Sequence, residues 1–392
     1  MSVAEIDWQP RTRLIFGAGR LVRLGDLARE IGGKRALLVT DPGVRAAGYA
    51  DTAGERLETA GVVVSVFDEV PENPTSATVE RCAEAARAFA PDLLIGLGGG
   101  SAMDTARGGN FLYTNGGAMP DYRGYGKAEK PMLPLIAVPT TAGTGSEMQS
   151  YAVISDAETH RKMACGDPKA AARAALLDPE LTLTCPRRVT ACAGIDAIAH
   201  AVETAVTTKG TALSRLFSRE AFRLLAANFR RVLDAPDDLD ARGAMLLGAA
   251  YAGSAIENSM LGAAHSAANP LTARSKIVHG QAVGMMLPYV VAFNASEPEI
   301  AAAYETWVRQ SGPPIGEPAV DSLIEFLRGC LMAAGFPSTL REAGVTEEAI
   351  PLLAKEAAEQ WTVQFNPRPI GEEDFVALYR DALHGVPPAI RR

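Results

Sequence analysis

The sequence is short of the features that mark several protein classes. Its five cysteines, Cys82, Cys165, Cys185, Cys192 and Cys330, include no C-x-x-C pair. An odd, scattered set argues against a disulfide framework or thiolate metal site and for buried, reduced thiols. Basic charge is also scarce: 38 Lys and Arg stand against 46 Asp and Glu, a net charge of -8. No basic stripe exists to neutralise phosphates, so no nucleic-acid partner is expected. No apolar run reads as long and uncharged enough to span a bilayer. Residues 1–13 carry Glu5, Asp7 and Trp8 where a secretory signal needs a basic segment and then an apolar one, so the expectation is a cytoplasmic protein with no membrane partner.

What is present is ordinary globular material, with 47% hydrophobic and 21% charged residues. A chain of 392 residues exceeds the size at which one core keeps growing, so two domains are expected. Up to about Asp178, short apolar or β-branched runs at 14–16, 35–40, 62–67, 93–97, 135–138 and 174–177 alternate with amphipathic helical stretches. Runs apolar throughout, such as 36–39 and 93–95, suit strands of a parallel sheet covered on both faces. After Asp178-Pro179 the pattern becomes long Ala- and Leu-rich stretches of helical period at 191–206, 213–233 and 242–264. The stretch 311–318, with two glycines and three prolines, reads as a loop. The expected architecture is an α/β N-terminal domain with a parallel sheet over residues 1–183, followed by an all-α domain over 184–392.

Two segments suit phosphate and ribose. A strand candidate at 92–97 leads into Gly98-Gly99-Gly100-Ser101 and then a helical run through Met103, Asp104 and Ala106. Strand, glycine turn and helix aim free backbone N–H groups at an anion. The dinucleotide fingerprint G-x-G-x-x-G is not met, because Gly96, Gly98 and Ser101 occupy its spacing, and a plain tight turn would look the same. The second segment, 139–147, also follows an apolar strand and concentrates the hydroxyls of Thr140, Thr141, Thr144 and Ser146. Asp41 closes the 36–40 strand, where a carboxylate accepts from ribose hydroxyls and repels a 2′-phosphate, favouring NAD over NADP. A turn-forming Asx residue gives the same pattern.

The metal candidates lie in the helical half. Asp196 and His200, four residues apart in a helical pattern, share one face. His265 and His279 would be about 21 Å apart on one unbroken helix at ~1.5 Å per residue, too far to share an ion. The chain must therefore turn back between them, and Pro270 is the expected break, with the helix ending at Asn269. A lone histidine on an Ala-rich helix is ordinarily just packed. Three of the chain's five histidines joining one aspartate form a mixed N/O set that suits Fe(II) or Zn(II), and ligand type does not choose between them.

Taken together, the motifs Phe16-Gly17-Ala18-Gly19, Asn73-Pro74-Thr75, Gly98-Gly99-Gly100-Ser101 with Asp104, segment 139–147, Asp178-Pro179, 196–200, His265, His279-Gly280 and Asn366-Pro367-Arg368 run nearly end to end. In them the chain resembles the iron-containing (group III) alcohol dehydrogenases, lactaldehyde reductase among them, which implies a dehydroquinate synthase-like fold with residues 1–183 as a Rossmann-like dinucleotide-binding domain and 184–392 as an all-α metal-binding and substrate domain. The resemblance implies metal binding by Asp196, His200, His265 and His279. It also implies NAD(H) contacts by Asp41, Asn73, Gly98, Gly99, Ser101, Asp104, Thr140, Thr141, Thr144 and Lys162. The implied activity is hydride transfer between the nicotinamide and a small alcohol or aldehyde with the metal as Lewis acid, in a homodimer.

Some positions depart from the family pattern. Arg107 replaces a usual lysine, and Asn269 replaces a non-ligand histidine four residues beyond His265. An amide there hydrogen-bonds but does not titrate; it either orients substrate or merely caps a helix before Pro270. Tyr151 and Ile256, with Gln149 and Glu257, are the other expected pocket residues, and they differ from the short-diol enzymes. Glycerol dehydrogenase-like and maleylacetate reductase-like enzymes are alternatives within the superfamily. From another class, a non-catalytic paralogue is the alternative that the complete ligand set disfavours.

Overall fold

The computed structural model describes residues 8–158, 162–312, 316 and 318–390. The chain divides into two compact units, Met1–Cys185 and Pro186–Arg392. In the first unit the order is β1 (Arg13–Phe16), α1 (Leu24–Glu30), β2 (Arg35–Val39), α2 (Pro42–Ala46), α3 (Tyr49–Thr59), β3 (Val63–Phe67) and α4 (Ser76–Phe89). There follow β4 (Leu93–Gly98), α5 (Gly100–Asn115), β5 (Gly124–Tyr125), β6 (Leu135–Pro139), β7 (Tyr151–Ser155), β8 (Lys162–Gly166) and β9 (Ala174–Leu177).

Six strands form one parallel sheet in the order β1-β9-β6-β4-β2-β3. Its central strands β4 and β6 are buried at every residue, as their unbroken apolar runs require. All six are the strands expected from the sequence. A separate small sheet, β5-β8-β7, was not expected. β5 has two residues, and β7 and β8 hold apolar runs of only three residues each, 152–154 and 163–165, along which burial alternates instead of staying complete. Buried Asp178 ties two distant motifs together: it accepts from Gly19 N–H and Glu180 N–H on Oδ1 and from Leu21 N–H on Oδ2.

The second unit is helical: α6 (Arg187–Val206), α7 (Ala212–Asp234), α8 (Leu239–Glu257), α9 (Ala263–Ser275), α10 (His279–Asn294), α11 (Pro298–Ser311), α12 (Ala319–Ala334), α13 (Ile350–Ala358) and α14 (Glu372–His384). Helix α6 packs against α7, α8 and α10 and is buried on nearly all sides, which is why its Ala-rich sequence is apolar all round. By length and composition α6 could cross a membrane, contrary to the sequence reading, but 78% of its apolar stretch is buried inside the fold.

Three expectations need correction. The helical stretch 242–264 is interrupted, because α8 stops at Glu257, Asn258 turns its amide back to Ser254 O, and Gly262 leaves the helical region before α9 begins. Pro270 does not end its helix; α9 carries it inside and continues to Ser275. Packing overrides the local preference there, since residues 263–268 are buried and Tyr379 donates to Ala267 O at 2.6 Å. The reversal comes at Lys276, whose φ of 55° is left-handed. Finally, the 311–318 loop begins only after Ser311, at the α11 cap Gly312; positions 313–315 and 317 lie outside the described residues.

Candidate metal centre and nucleotide cradle

Within the first unit, three neighbouring strands deliver their C-terminal ends to one place. β4 lies between β2 and β6, and the order of construction reverses there, which is where open α/β sheets bind ligands. Asp41 follows β2; its Oδ1 accepts from Val44 N–H as the cap of α2, so the Asx-type role is real. Its other oxygen faces Gly98, where an added Cβ would lie 3.0 Å from Oδ2 and 2.8 Å from Ala102 Cβ. With φ at +150°, that position demands glycine. Thr140 N–H donates to Gly98 O at 2.9 Å, and the Thr141 and Thr144 side chains crowd Gly99 and Gly100. Helix α5 starts at Gly100 with no side-chain cap, so its first N–H groups point into this cradle. Ser101 lies in that first turn.

The remaining expected cofactor residues sit elsewhere. Asn73, with φ at 55°, precedes Pro74, which bonds Ser155; Ser155 in turn pairs with Lys162, so Asn73 and Lys162 flank one end of the small sheet. The Asp104 carboxylate is committed to protein: Oδ1 accepts from Ser146 Oγ at 2.7 Å and from Arg107, and Oδ2 accepts from Val153 N–H. Arg107, fully buried, also donates to Ala170 O, Tyr151 O, Ser146 Oγ and Ser146 O. That guanidinium pins α5 to the 139–147 segment. Tyr151 lies flat across Gly166 and near Tyr125, with ring centroids 5.6 Å apart, and Gln149 donates to Thr144 O.

In the second unit the four metal candidates come together. Asp196 and His200 project from α6, His265 from the first turn of α9, and His279 opens α10. A glycine makes this possible: a Cβ on Gly280 would fall 2.1 Å from Cys192 O, so α10 lies backbone to backbone against α6. The ligand atoms of Asp196, His265 and His279 all lie within 4.8 Å of one another. Asp196 Oδ1 stands 3.4 Å from His265 Nε2, 3.6 Å from His200 Nε2 and 3.9 Å from His279 Nε2. Four donors about 2.1 Å from a tetrahedral centre are themselves about 3.4 Å apart, so this spacing fits one ion. Asp196 Oδ1 and His265 Nε2 are also buried with no hydrogen-bond partner, a costly state that a cation relieves.

The electrostatics agree. Burial alone would raise the Asp196 pKa, but His200, His265 and His279 outweigh it and hold the carboxyl far below its usual range. Burial would lower that of His265, yet Glu203 and Asp196 push it up to about 9. The His279 side chain is 25% exposed against 5–7% for its three partners, so the centre is reached from that side. Asn269, one turn beyond His265, donates from Nδ2 to Gln360 Oε1 at 3.0 Å, and Ile256 is buried at the end of α8.

The sequence reading passed over Glu203 and Gln360. The signal for Glu203 was present, as it falls at i+3 from His200 and i+7 from Asp196 on the same helical face.

The fold and the four-residue centre define a two-domain metal-dependent oxidoreductase, and comparison with known proteins bears this out. Residues 10–179 match the family described as iron-containing alcohol dehydrogenase, and residues 190–383 match the C-terminal part of the Fe-containing alcohol dehydrogenase family. The chain is 33% identical to an NAD-dependent methanol dehydrogenase of Bacillus methanolicus, covering 94% of this chain and 97% of that one. It is 32% identical to lactaldehyde reductase of Escherichia coli (strain K12), covering 94% and 97%. A crystal structure of a 1,3-propanediol oxidoreductase superposes with a TM-score of 0.91 at 31% identity, covering 97% of this chain and all of that one. The chain belongs to the iron-containing alcohol dehydrogenase family.

Proposed function

We propose that this enzyme interconverts a small alcohol and its aldehyde with NAD(H), the first unit holding the dinucleotide and the second the metal and substrate. The observation that carries the reading is the meeting of three histidine Nε2 atoms on one buried Asp196 oxygen. A divalent ion bound there, Fe(II) by family and Zn(II) by donor chemistry, supplies Lewis acidity that stabilises negative charge on a substrate oxygen. The chain's own residues do the rest. Asp196, His200 and His265 close the buried side, leaving approach past His279. The α5 N-terminus with Thr140, Thr141 and Thr144 suits the pyrophosphate, and Asp41 suits an unphosphorylated adenosine ribose. Ser101, in the first turn of α5, adds a hydroxyl to this cradle; Asn73 and Lys162, at one end of the small sheet, are assigned polar contacts with the dinucleotide by the family pattern, whereas Asp104 acts by holding Ser146 in place.

Asn269 and Gln360 form an amide pair on the His265 side of α9 and orient the polar part of a substrate; because neither titrates, the proton passes to water or a cofactor hydroxyl. Tyr151 and Ile256 shape the pocket. The methanol dehydrogenase and lactaldehyde reductase among its relatives support a small substrate, and a cytoplasmic homodimer is part of the proposal.

The test is steady-state reduction of a panel of short aldehydes and hydroxy- or keto-aldehydes by the metal-loaded enzyme. NADH should be used well ahead of NADPH, Asp41→Gly should narrow that preference, and Asn269→Ala should raise KM at unchanged metal content. Equal efficiency with both nucleotides, or no turnover across the panel, would contradict the reading.

A further inference from the structure

Glu203 takes no part in the chemistry above, yet it is among the most completely buried carboxylates of the helical unit, at 5% exposure. It lies on α6 on the face that carries Asp196 and His200. Its two oxygens reach the same neighbouring helix: Oε1 accepts from Ala264 N–H at 2.7 Å, and Oε2 makes a short hydrogen bond with His265 Nδ1. Gly262 makes room for this, since a Cβ there would lie 3.3 Å from Oε1 and 3.0 Å from Asn366 Oδ1. Asn366 in turn accepts from Ala263 N–H and pairs with Asn294. Helix α9 has no side-chain cap of its own, so these two residues from elsewhere hold its first N–H groups.

We infer that Glu203 is a positioning residue for the metal centre, fixing the backbone and the ring of His265 with one carboxylate. A carboxylate accepts only, so the Nδ1 proton is held in place and Nε2, 3.4 Å from Asp196 Oδ1, is the nitrogen that turns its lone pair to an ion. The opposite tautomer would aim an N–H at the ion. Glutamine cannot reproduce the arrangement: if its oxygen stays on Ala264 N–H, its NH₂ meets Nδ1 and forces the proton to Nε2; if the amide is turned over, NH₂ faces the Ala264 N–H.

The inference rests on the assignment of the four metal ligands, and one experiment separates the two. Metal-free protein is titrated with Zn(II) against a chromophoric chelator, and the Co(II) absorption spectrum is recorded, for the parent, E203Q, E203D, H265A and the E203Q/H265A double variant. Glu203→Gln should weaken Zn(II) binding by roughly 10- to 100-fold and alter the Co(II) spectrum, and it should add nothing once His265 is alanine. Glu203→Asp, one methylene too short to reach both groups, should fall between. Parent-like affinity in whichever Glu203 variant folds overturns the inference, as does a further large loss in the double variant, which would mean that Glu203 acts on the fold and not through His265. If His265→Ala itself keeps full affinity, the ligand assignment fails instead.

Discussion

Single residues carry unequal loads in this chain, and Glu147 shows how a buried charge is tolerated. It closes the 139–147 segment at 2% exposure, and burial pushes its carboxyl up to about 7 even with Arg107 nearby. A raised folded-state pKa means that the unfolded chain ionises first. Stability is therefore greatest below about pH 4.5 for this group and is lost as pH rises towards 7, by on the order of 3 kcal/mol. Thermal unfolding of Glu147→Gln beside the parent from pH 5 to 8 should show the variant gaining relative stability as pH increases. A difference that stays constant across the range would mean that Glu147 is ionised throughout. Asn269 teaches a related point: its position predicted a polar side chain facing the centre, but not the partner, because Gln360 is 91 residues away and no local rule joins them.

At the scale of elements, contact between α6 and α10 determines whether the centre exists. Gly280 and Gly284 let the two helices touch, with added Cβ atoms falling 2.1 Å from Cys192 O and 2.5 Å from Ile195 Cγ2. Gly280→Ala drives a methyl into backbone and should cost at least about 1–3 kcal/mol, while displacing His279 and lowering metal content. Thermal denaturation together with metal analysis checks this; a variant as stable and as metal-rich as the parent would contradict the close packing.

The sequence displayed elements in proportion to how far local forces decide them. The four inner strands of the main sheet, β2, β4, β6 and β9, were legible because strands buried on both faces must be apolar, and the edge strands β1 and β3 because their runs are short, apolar and β-branched. The small sheet was not, since β5 has only two residues and β7 and β8 mix buried with partly exposed positions around short apolar runs. Pro270 misled because a proline's cost in a helix is a few kcal/mol, which the buried packing of α9 can exceed. The turn at Lys276 bears no glycine, asparagine or proline to announce it. The spacing of Asp196 and His200 needed only helix geometry, whereas Glu203 needed the neighbouring α9 to acquire its meaning.

For the molecule as a whole, the proposal gives the α/β unit the nucleotide cradle and the helical unit the metal centre, and membership of the iron-containing alcohol dehydrogenase family supports it. The account stands on the second of these. Its most direct test is metal content: the protein is prepared anaerobically with Fe(II), freed of excess ion and analysed for iron and zinc, alongside Asp196→Ala, His200→Ala, His265→Ala and His279→Ala. The parent should hold a single divalent ion per chain, and each replacement should remove most of it together with aldehyde reduction, while NADH binding measured by fluorescence persists. Full metal content and normal turnover in His279→Ala would contradict the assignment of the centre.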